Sequence, residues 1–431
     1  MAELAETKKQ NKYGANRLIA LLTLVYTASY LCRYSYATVL PEMVRATGQS
    51  KTELSVAVTC LFVCYGVGQL ISGVLGDILP PKRLVLTGML VSGVLNAVVP
   101  FAGSVWVVRV LWCLNGFAQA FFWPPIVTMM AALLSKDDYA RGSEYVCYGG
   151  YAGTITLYLL SPLIIKAWSW RGVFVMSSAL GLTIAVLFLL LFPDVPPART
   201  IRARELSDAD NATGASAQRS AADAENAPAK HSFLRTVRTL ISVPMLLILV
   251  AIAAQGLMKD GITTWMPTYI SELFDLGTGA SILTGVLLPV FAMLSIKITN
   301  LLYKHLLTNP LVCAAVLFGA GALAALGLFL VSRGSAVFTV LFSVLLAGSM
   351  HGVNLMLICM IPRLFKDSGN VSAASGLLNS FTYLGSSLSA LGLAAMSEAL
   401  GWRNLFAVLA GVAVSGGLIC FAVRRFRPKT S

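Results

Sequence analysis

The stretch YTASYLCRYSYATVLP, Tyr26 to Pro41, sets Arg33 near the middle of an otherwise uncharged segment long enough to cross a bilayer. A charge at the centre of a membrane helix costs about 2.5–3.5 kcal/mol on insertion scales, so such a residue normally faces a water-filled cavity or a partner. Tyr30, Tyr34 and Tyr36 flank Arg33, and the positions three before and three after it share its helical face. The pattern reads as a cationic fork walled by aromatic rings, with a substrate as its partner. One other cation stands at membrane depth, Lys259, and the rest of the chain reads as machinery that brings these two residues together.

Working outward, the 431 residues are 57% hydrophobic and 12% charged, with a mean hydropathy of +0.77, which excludes a soluble globular protein. Apolar windows long enough to span a bilayer fall near 17–40, 53–79, 83–102, 106–133, 141–166, 171–193, 242–273, 279–304, 308–331, 335–362, 370–398 and 402–424. The expected fold is an all-α membrane protein with twelve transmembrane helices in two six-helix bundles.

A net charge of +13 raises the question of nucleic acid, but the basic residues lie where a membrane protein needs them. With an even number of spans both termini share one side. About 23 of the 32 Lys and Arg residues map to that side, including Lys82, Arg83, the central linker and the C-terminal cluster. The positive-inside rule then places both termini in the cytoplasm, in the inner membrane of a bacterial cell, and no nucleic-acid partner is expected. The first 16 residues are polar, so the first span is expected to act as its own targeting signal. All eight cysteines sit in apolar spans without metal-ligand spacing and read as small buried hydrophobes; no metal or cofactor is expected.

Between Phe192 and His231 the composition turns to Pro, Ala, Ser, Asp and Arg, which marks a flexible linker. The expected organisation is a tail over 1–16, a six-helix bundle over 17–193, the linker over 194–241, a second bundle over 242–424 and a tail over 425–431. The halves also repeat. Trp170-Arg171-Gly172-Val173-Phe174 opens span six and Trp402-Arg403-Asn404-Leu405-Phe406 opens span twelve, 232 residues later. An offset of 226 carries Arg33 onto Lys259, so the two cations occupy corresponding positions in the first span of each half.

After span two, Gly73-Val74-Leu75-Gly76-Asp77-Ile78 followed by Lys82-Arg83 resembles the loop motif of the major facilitator superfamily. Small residues there allow close helix approach, and Asp77 can accept hydrogen bonds at a helix end or pair with a basic residue across a gate. The corresponding stretch of the second half, Lys297-Ile298-Thr299-Asn300, has lost the acid, so gate pairing is expected to be asymmetric. Tyr30-Leu31-Cys32-Arg33, Tyr65-Gly66, Trp123-Pro124-Pro125 and Trp265-Met266-Pro267-Thr268-Tyr269 narrow the resemblance to the organophosphate:phosphate antiporter family, which includes the glycerol-3-phosphate and hexose-phosphate transporters. The resemblance covers essentially the whole chain.

That resemblance implies exchange of a phosphorylated metabolite for inorganic phosphate, gripped by one arginine from each half. Arg33 matches the first, and Lys259 stands where the second is expected. The change matters: arginine offers a planar fork for two parallel hydrogen bonds, lysine a mobile point charge. Gln69 stands where the glycerol-phosphate branch has a lysine, and Ala152 where it has a span-five histidine. The pocket is thus less cationic than a dianion prefers, and a carboxylate, a zwitterion or a differently held phosphate monoester enters consideration.

The candidate substrate-binding residues are Arg33, Lys259, Tyr30, Tyr34, Tyr65, Gln69, Trp123, Tyr151, His351, Asn354 and Asn379; those for coupling or gating are Asp260, Asp77, Lys82 and Arg83. Consecutive helical residues point about 100° apart, so Lys259 and Asp260 are not expected to share a partner. Asp260 reads either as the counter-ion of Arg33 in the empty state or as a proton-carrying carboxylate. His351 is the one histidine within the spans and can exchange a proton near neutral pH or bond a neighbouring helix. Polar residues such as Gln119 and Gln255 serve equally as interhelical glue, and Tyr148, Trp265, Tyr269 and Tyr383 as further lining.

The reading is an alternating-access carrier of a small organic anion, with phosphate or a proton as the coupled species, the bilayer as its surroundings and a monomer sufficient for the task. The alternatives are a proton-coupled symporter of a carboxylate or zwitterion, and, since some members of the resembled family are sensors, a membrane sensor of a sugar phosphate. No nucleophile–base pair or metal-ligand cluster stands in the sequence, so an enzyme is not expected.

Overall fold

Uncharged runs of Leu, Val, Ala and Gly can satisfy their backbone hydrogen bonds inside lipid only as helices or closed barrels, and here the solution is helical. The computed structural model describes residues 14–49, 51–197, 200, 242–274, 278–331, 335–367 and 370–426, and of 264–274 and 278–288 the backbone alone. The terminal tails and most of the linker therefore lie outside the described residues.

The first half comprises α1 (Ala15–Thr47), α2 (Lys51–Ile78), α3 (Pro81–Val98), α4 (Val105–Gln119), α5 (Trp123–Leu133), α6 (Lys136–Ala167) and α7 (Trp170–Leu191). α4 and α5 form one span, interrupted before Pro124 and Pro125, whose missing N–H groups suit a helix start and not a helix interior. Ser104, Ser135 and Ser169 accept hydrogen bonds from first-turn amides of α4, α6 and α7. The second half comprises α8 (Val243–Phe274), α9 (Thr278–His305), α10 (Pro310–Val331), α11 (Ala336–Asn354), a π turn over Leu355–Met360, the short α12 (Ile361–Arg363) and α13 (Val371–Ala422). α13 is two helices joined at Gly401, whose φ of 75° is open to glycine at little cost. Ten segments among the described residues are long and apolar enough to cross a membrane, and α9 and the first part of α13 stand at the expected places of spans eight and eleven. The chain is an all-helical multi-pass membrane protein of two six-span bundles.

Buried polar residues fix α1 inside the first bundle. Asn96 and Asn115 both donate to the Cys32 carbonyl, at 2.9 and 3.2 Å, while Ser35 donates to Asn96 and Ser92 to Asn115, each at 2.7 Å. Gln119 completes the cluster through Ser92 at 2.8 Å, and Gln255 in the second half donates to the Met350 carbonyl at 3.0 Å. Of the eight cysteines, Cys32, Cys313, Cys359 and Cys420 are buried, whereas Cys60, Cys64, Cys113 and Cys147 are half-buried.

The halves meet along two seams on the side that carries the linker. In one, α2 lies against the start of α13. A Cβ built on Gly376 would stand 2.3 Å from the Gln69 carbonyl oxygen and 2.8 Å from the Gly73 Cα, so backbone meets backbone there. Buried Asp77 accepts from the amides of Ser372 and Ala373, at 2.9 and 2.8 Å, where the positive end of a helix dipole favours an anion. Asp77 therefore caps a helix of the other half. Lys82 does not cross this seam: its Nζ donates to the Phe192 carbonyl at 2.6 Å and pairs with Asp194 at 3.2 Å, tying α3 to the end of α7, while Arg83 is exposed. Lys82 thus spends its reach within its own half.

The second seam joins α6 to α9 and was not anticipated in the sequence. Glu144, with its side chain 2% exposed, pairs with Lys297 at 3.0 Å and accepts from Asn300 and from Tyr148, the latter at 2.8 Å. The acid missing from the Lys297–Asn300 stretch is thus supplied by the opposite half. Tyr139 reinforces the seam by donating to the Cys359 carbonyl at 2.6 Å, with the Arg363 guanidinium 5.1 Å from its ring centre.

Gly376→Leu should wedge the first seam apart, costing about 1–3 kcal/mol by overpacking, read as a lowered melting temperature of the purified protein. Gly392→Leu on the same helix, where an added Cβ meets open space, should shift stability by no more than about 0.5 kcal/mol.

Candidate functional site

Holding the Cys32 carbonyl fixes the next residue, Arg33, against the other half. Its side chain is 4% exposed, and its guanidinium carbon lies 3.9 Å from the ring centre of Tyr65, 5.1 Å from Tyr383, 5.7 Å from Tyr34 and Phe62, and 5.9 Å from Tyr30. Nη2 donates to the Tyr383 hydroxyl at 2.6 Å, and buried Nε has no hydrogen-bond partner among the described residues. Ring faces thus supply the negative potential that a carboxylate would otherwise provide. Tyr30 and Tyr34 flank the cation as expected, but Tyr36 does not. On a helix Tyr30 and Tyr34 lie about 60° and 100° to one side of Arg33, whereas Tyr36 lies about 60° to the other. Tyr36 is accordingly buried in the first bundle, its hydroxyl on the Leu54 carbonyl at 3.0 Å and its ring against Trp112 and Phe174.

A cavity of about 300 Å³ lies between the halves. Seven tyrosines line it: Tyr26, Tyr30, Tyr34, Tyr65, Tyr151, Tyr158 and Tyr383. Arg33 does not itself line the cavity and lies against two of the lining rings, Tyr65 and Tyr383. Lys259 and Asp260 line the cavity directly from α8. They pair with each other, Nζ to Oδ1 at 3.1 Å, and the other Asp260 oxygen accepts from Ser386 on α13. They pair with each other and not through a common partner: flexible lysine methylenes span the 100° between their Cα–Cβ directions. Asp260 is bound to Lys259 and Ser386, not to Arg33.

His351 on α11 shares a hydrogen bond of 2.7 Å between its Nδ1 and the Tyr151 hydroxyl of α6, joining the halves at the cavity wall. Asn354, Asn379 and Trp123 also line the cavity; the Trp123 ring is tilted 51° against Tyr26 with centroids 5.2 Å apart, and its Nε1 has no partner among the described residues. Gln69 is fully buried away from the cavity; it donates to the Ala120 carbonyl at 3.2 Å and accepts from Asn379 at 3.0 Å, acting as glue between the halves. Ala152 is exposed on the outer face of α6, and its neighbour Tyr151 is the one that turns inward. Tyr148 points instead to Glu144, and the side chains of Trp265 and Tyr269 lie outside the described residues. No cluster of three metal-ligating side chains occurs among the described residues.

Several residues that line the cavity or touch its charged groups escaped the sequence reading. Tyr158 is seven residues after Tyr151 and therefore on the same helical face, a signal that was available. Tyr26, Phe62 and Ser386 reach their places only through the packing of α1, α2 and α13, which no local pattern encodes.

Comparison with known proteins agrees with this architecture. The chain matches the model of the Major Facilitator Superfamily over residues 22–359. It is 23% identical over 414 residues to the membrane sensor protein UhpC of Salmonella typhimurium, covering 94% of this chain and 90% of that one. It is 27% identical over 203 residues to the glycerol-3-phosphate transporter of Bacillus subtilis, 45% of each chain. Among solved structures it superposes on the proton:xylose symporter XylE with a TM-score of 0.72 at 12% identity, covering 97% of this chain and 95% of that one, a likeness of fold. With the family match extending over most of its length and with relatives of this kind, the chain belongs to the Major Facilitator Superfamily and, within it, resembles the organophosphate:phosphate antiporter family.

Proposed function

We propose that this protein is a secondary active transporter of the bacterial inner membrane, with both termini and the linker cytoplasmic, that exchanges a small phosphorylated metabolite for inorganic phosphate by alternating access. The observation that carries this reading is a single tyrosine-lined cavity that Lys259 of the second half lines directly and against whose Tyr65 and Tyr383 rings Arg33 of the first half is held. The two bundles, about 17–193 and 242–424, rock around that cavity.

Asp77 at the start of α13 and Glu144 against α9 join the halves on the linker side, and in the proposed cycle the cavity takes its solute from the opposite side while these contacts hold. An incoming phosphoryl group takes the Arg33 fork by displacing the Tyr383 hydroxyl and takes Lys259 by displacing Asp260. Its charge bridges the two halves and lowers the cost of closing over two cations. Tyrosine hydroxyls, Asn354, Asn379 and His351 then hold the remainder of the solute, with Trp123 as a floor. Exchange is obligatory in so far as only the anion-filled cavity closes at both ends.

A second reading is favoured by the match, over 94% of this chain, to a membrane sensor. In it the same cavity binds a sugar phosphate and reports occupancy through the seams without completing the cycle.

In phosphate-loaded vesicles the reconstituted protein should take up labelled glycerol-3-phosphate, glucose-6-phosphate or phosphate, and Arg33→Ala or Lys259→Ala should each lower the rate about ten- to hundredfold, the scale of a lost charged hydrogen bond. Uptake indifferent to internal phosphate would sink the exchange reading, and tight binding without uptake would favour the sensor. Asp260→Asn leaves Lys259 without its counter-charge, so the empty carrier should return more slowly; the ratio of net uptake to exchange should fall, and an unchanged ratio would contradict this coupling.

A further inference from the structure

The pairing of Asp260 with Lys259 serves the empty cavity, and a phosphoryl group that takes Lys259 releases the carboxylate. Among the described residues that line the cavity it is the one carboxylate, and Lys259 is the one lysine or arginine. The Asp260 side chain is 35% exposed and that of Lys259 15% exposed, so both are open to a ligand. Lys259 and Ser386 both donate to the carboxylate. A phosphoryl group that takes Lys259 leaves this carboxylate with Ser386 alone, a few ångströms from a dianion, in a site walled by aromatic rings and closed to the linker side. With Lys259 drawn to the phosphoryl group, a ligand that brings its own positive charge to this carboxylate restores the lost ion pair.

The charges can be balanced group by group. Arg33 and Lys259 answer the two negative charges of a phosphoryl dianion, and Asp260 answers one positive charge. A sugar or glycerol phosphate without an amine leaves the filled site with an excess negative charge. A molecule that carries both a phosphoryl dianion and a protonated amine has a net charge of −1 and leaves the site neutral. Phosphate as its monoanion has the same net charge, so both partners of an exchange would leave the site alike. The tyrosine rings of the wall offer π faces to an ammonium beside Asp260, as they already do to the guanidinium of Arg33.

We propose that the substrate is a small aminophosphate, an amino-sugar phosphate or an aminoalkyl phosphate, whose phosphoryl group is held by Arg33 and Lys259 and whose ammonium is held by Asp260. This rests on the phosphoryl-binding role given to the two cations above.

The test is competition against labelled inorganic phosphate on the purified full-length protein, using matched pairs: glucosamine 6-phosphate against glucose 6-phosphate, and 2-aminoethyl phosphate against ethyl phosphate. In the wild-type protein the amine-bearing member of each pair should compete about tenfold more tightly, and in Asp260→Asn the two members should compete alike. Equal or weaker competition by the amine-bearing members, with phosphate still bound, overturns the amine assignment and leaves the phosphoryl reading intact. A preference that survives Asp260→Asn overturns the role of Asp260. Absence of phosphate binding by folded wild-type protein overturns the phosphoryl reading, and the amine assignment with it. The wild-type comparison stands whether or not the variant folds.

Discussion

A guanidinium at the middle of a membrane span has to be paired with something, and much of this molecule follows from how Arg33 is paired. Its partners are the faces of four tyrosines and a phenylalanine and one tyrosine hydroxyl. Aromatic faces stabilise a cation without carrying a full charge themselves, so the arginine is held without being neutralised. Two of those rings, Tyr65 and Tyr383, come from α2 and α13, which belong to opposite halves. The cation therefore contributes to holding the halves together on one side, and any anion that competes for it acts on that contact. The anchoring of the Cys32 carbonyl by Asn96 and Asn115 has the same logic: it keeps the backbone next to the charge from yielding.

The linker-side closure uses acids of one half and donors of the other. Asp77 and Glu144 both belong to the first bundle, while the Ser372 and Ala373 amides, Lys297 and Asn300 belong to the second. One seam uses a helix dipole and the other a side-chain cation, so duplication has left two related crossings with different chemistry. Breaking either seam takes a carboxylate from its donors, and the loss of those charge-assisted hydrogen bonds opposes their separation. A bound anion that draws Arg33 and Lys259 toward each other is of the right sign and at the right level to shift that balance.

The ion pair of Lys259 with Asp260 changes the character of the cavity. The second half presents a dipole to the solute where the first half presents a cation behind a ring of phenols. Such a cavity discriminates by where the charges of a solute lie as much as by how many there are. His351 and Tyr151 add a neutral contact between the halves at the same level, which any solute must accommodate or displace.

The amino-acid sequence by itself determined the helical class, the number of spans and the two membrane-depth cations, because hydrophobic length and an unpaired charge are local properties that no packing can undo. It also marked Asp77 and the small residues around it, since a helix end and a close approach leave a local signature. Only the tertiary structure decided who answers each charge. The partner of Glu144 is on α9, that of Arg33 on α13, and Asp260 turned to its own neighbour Lys259 and to Ser386. Tyr36 and Gln69 were drawn into packing, and Tyr383 into contact with the arginine, by the rotation of whole helices. A helical period gives each residue a direction relative to its neighbours, but the direction in space is fixed only when the bundles meet.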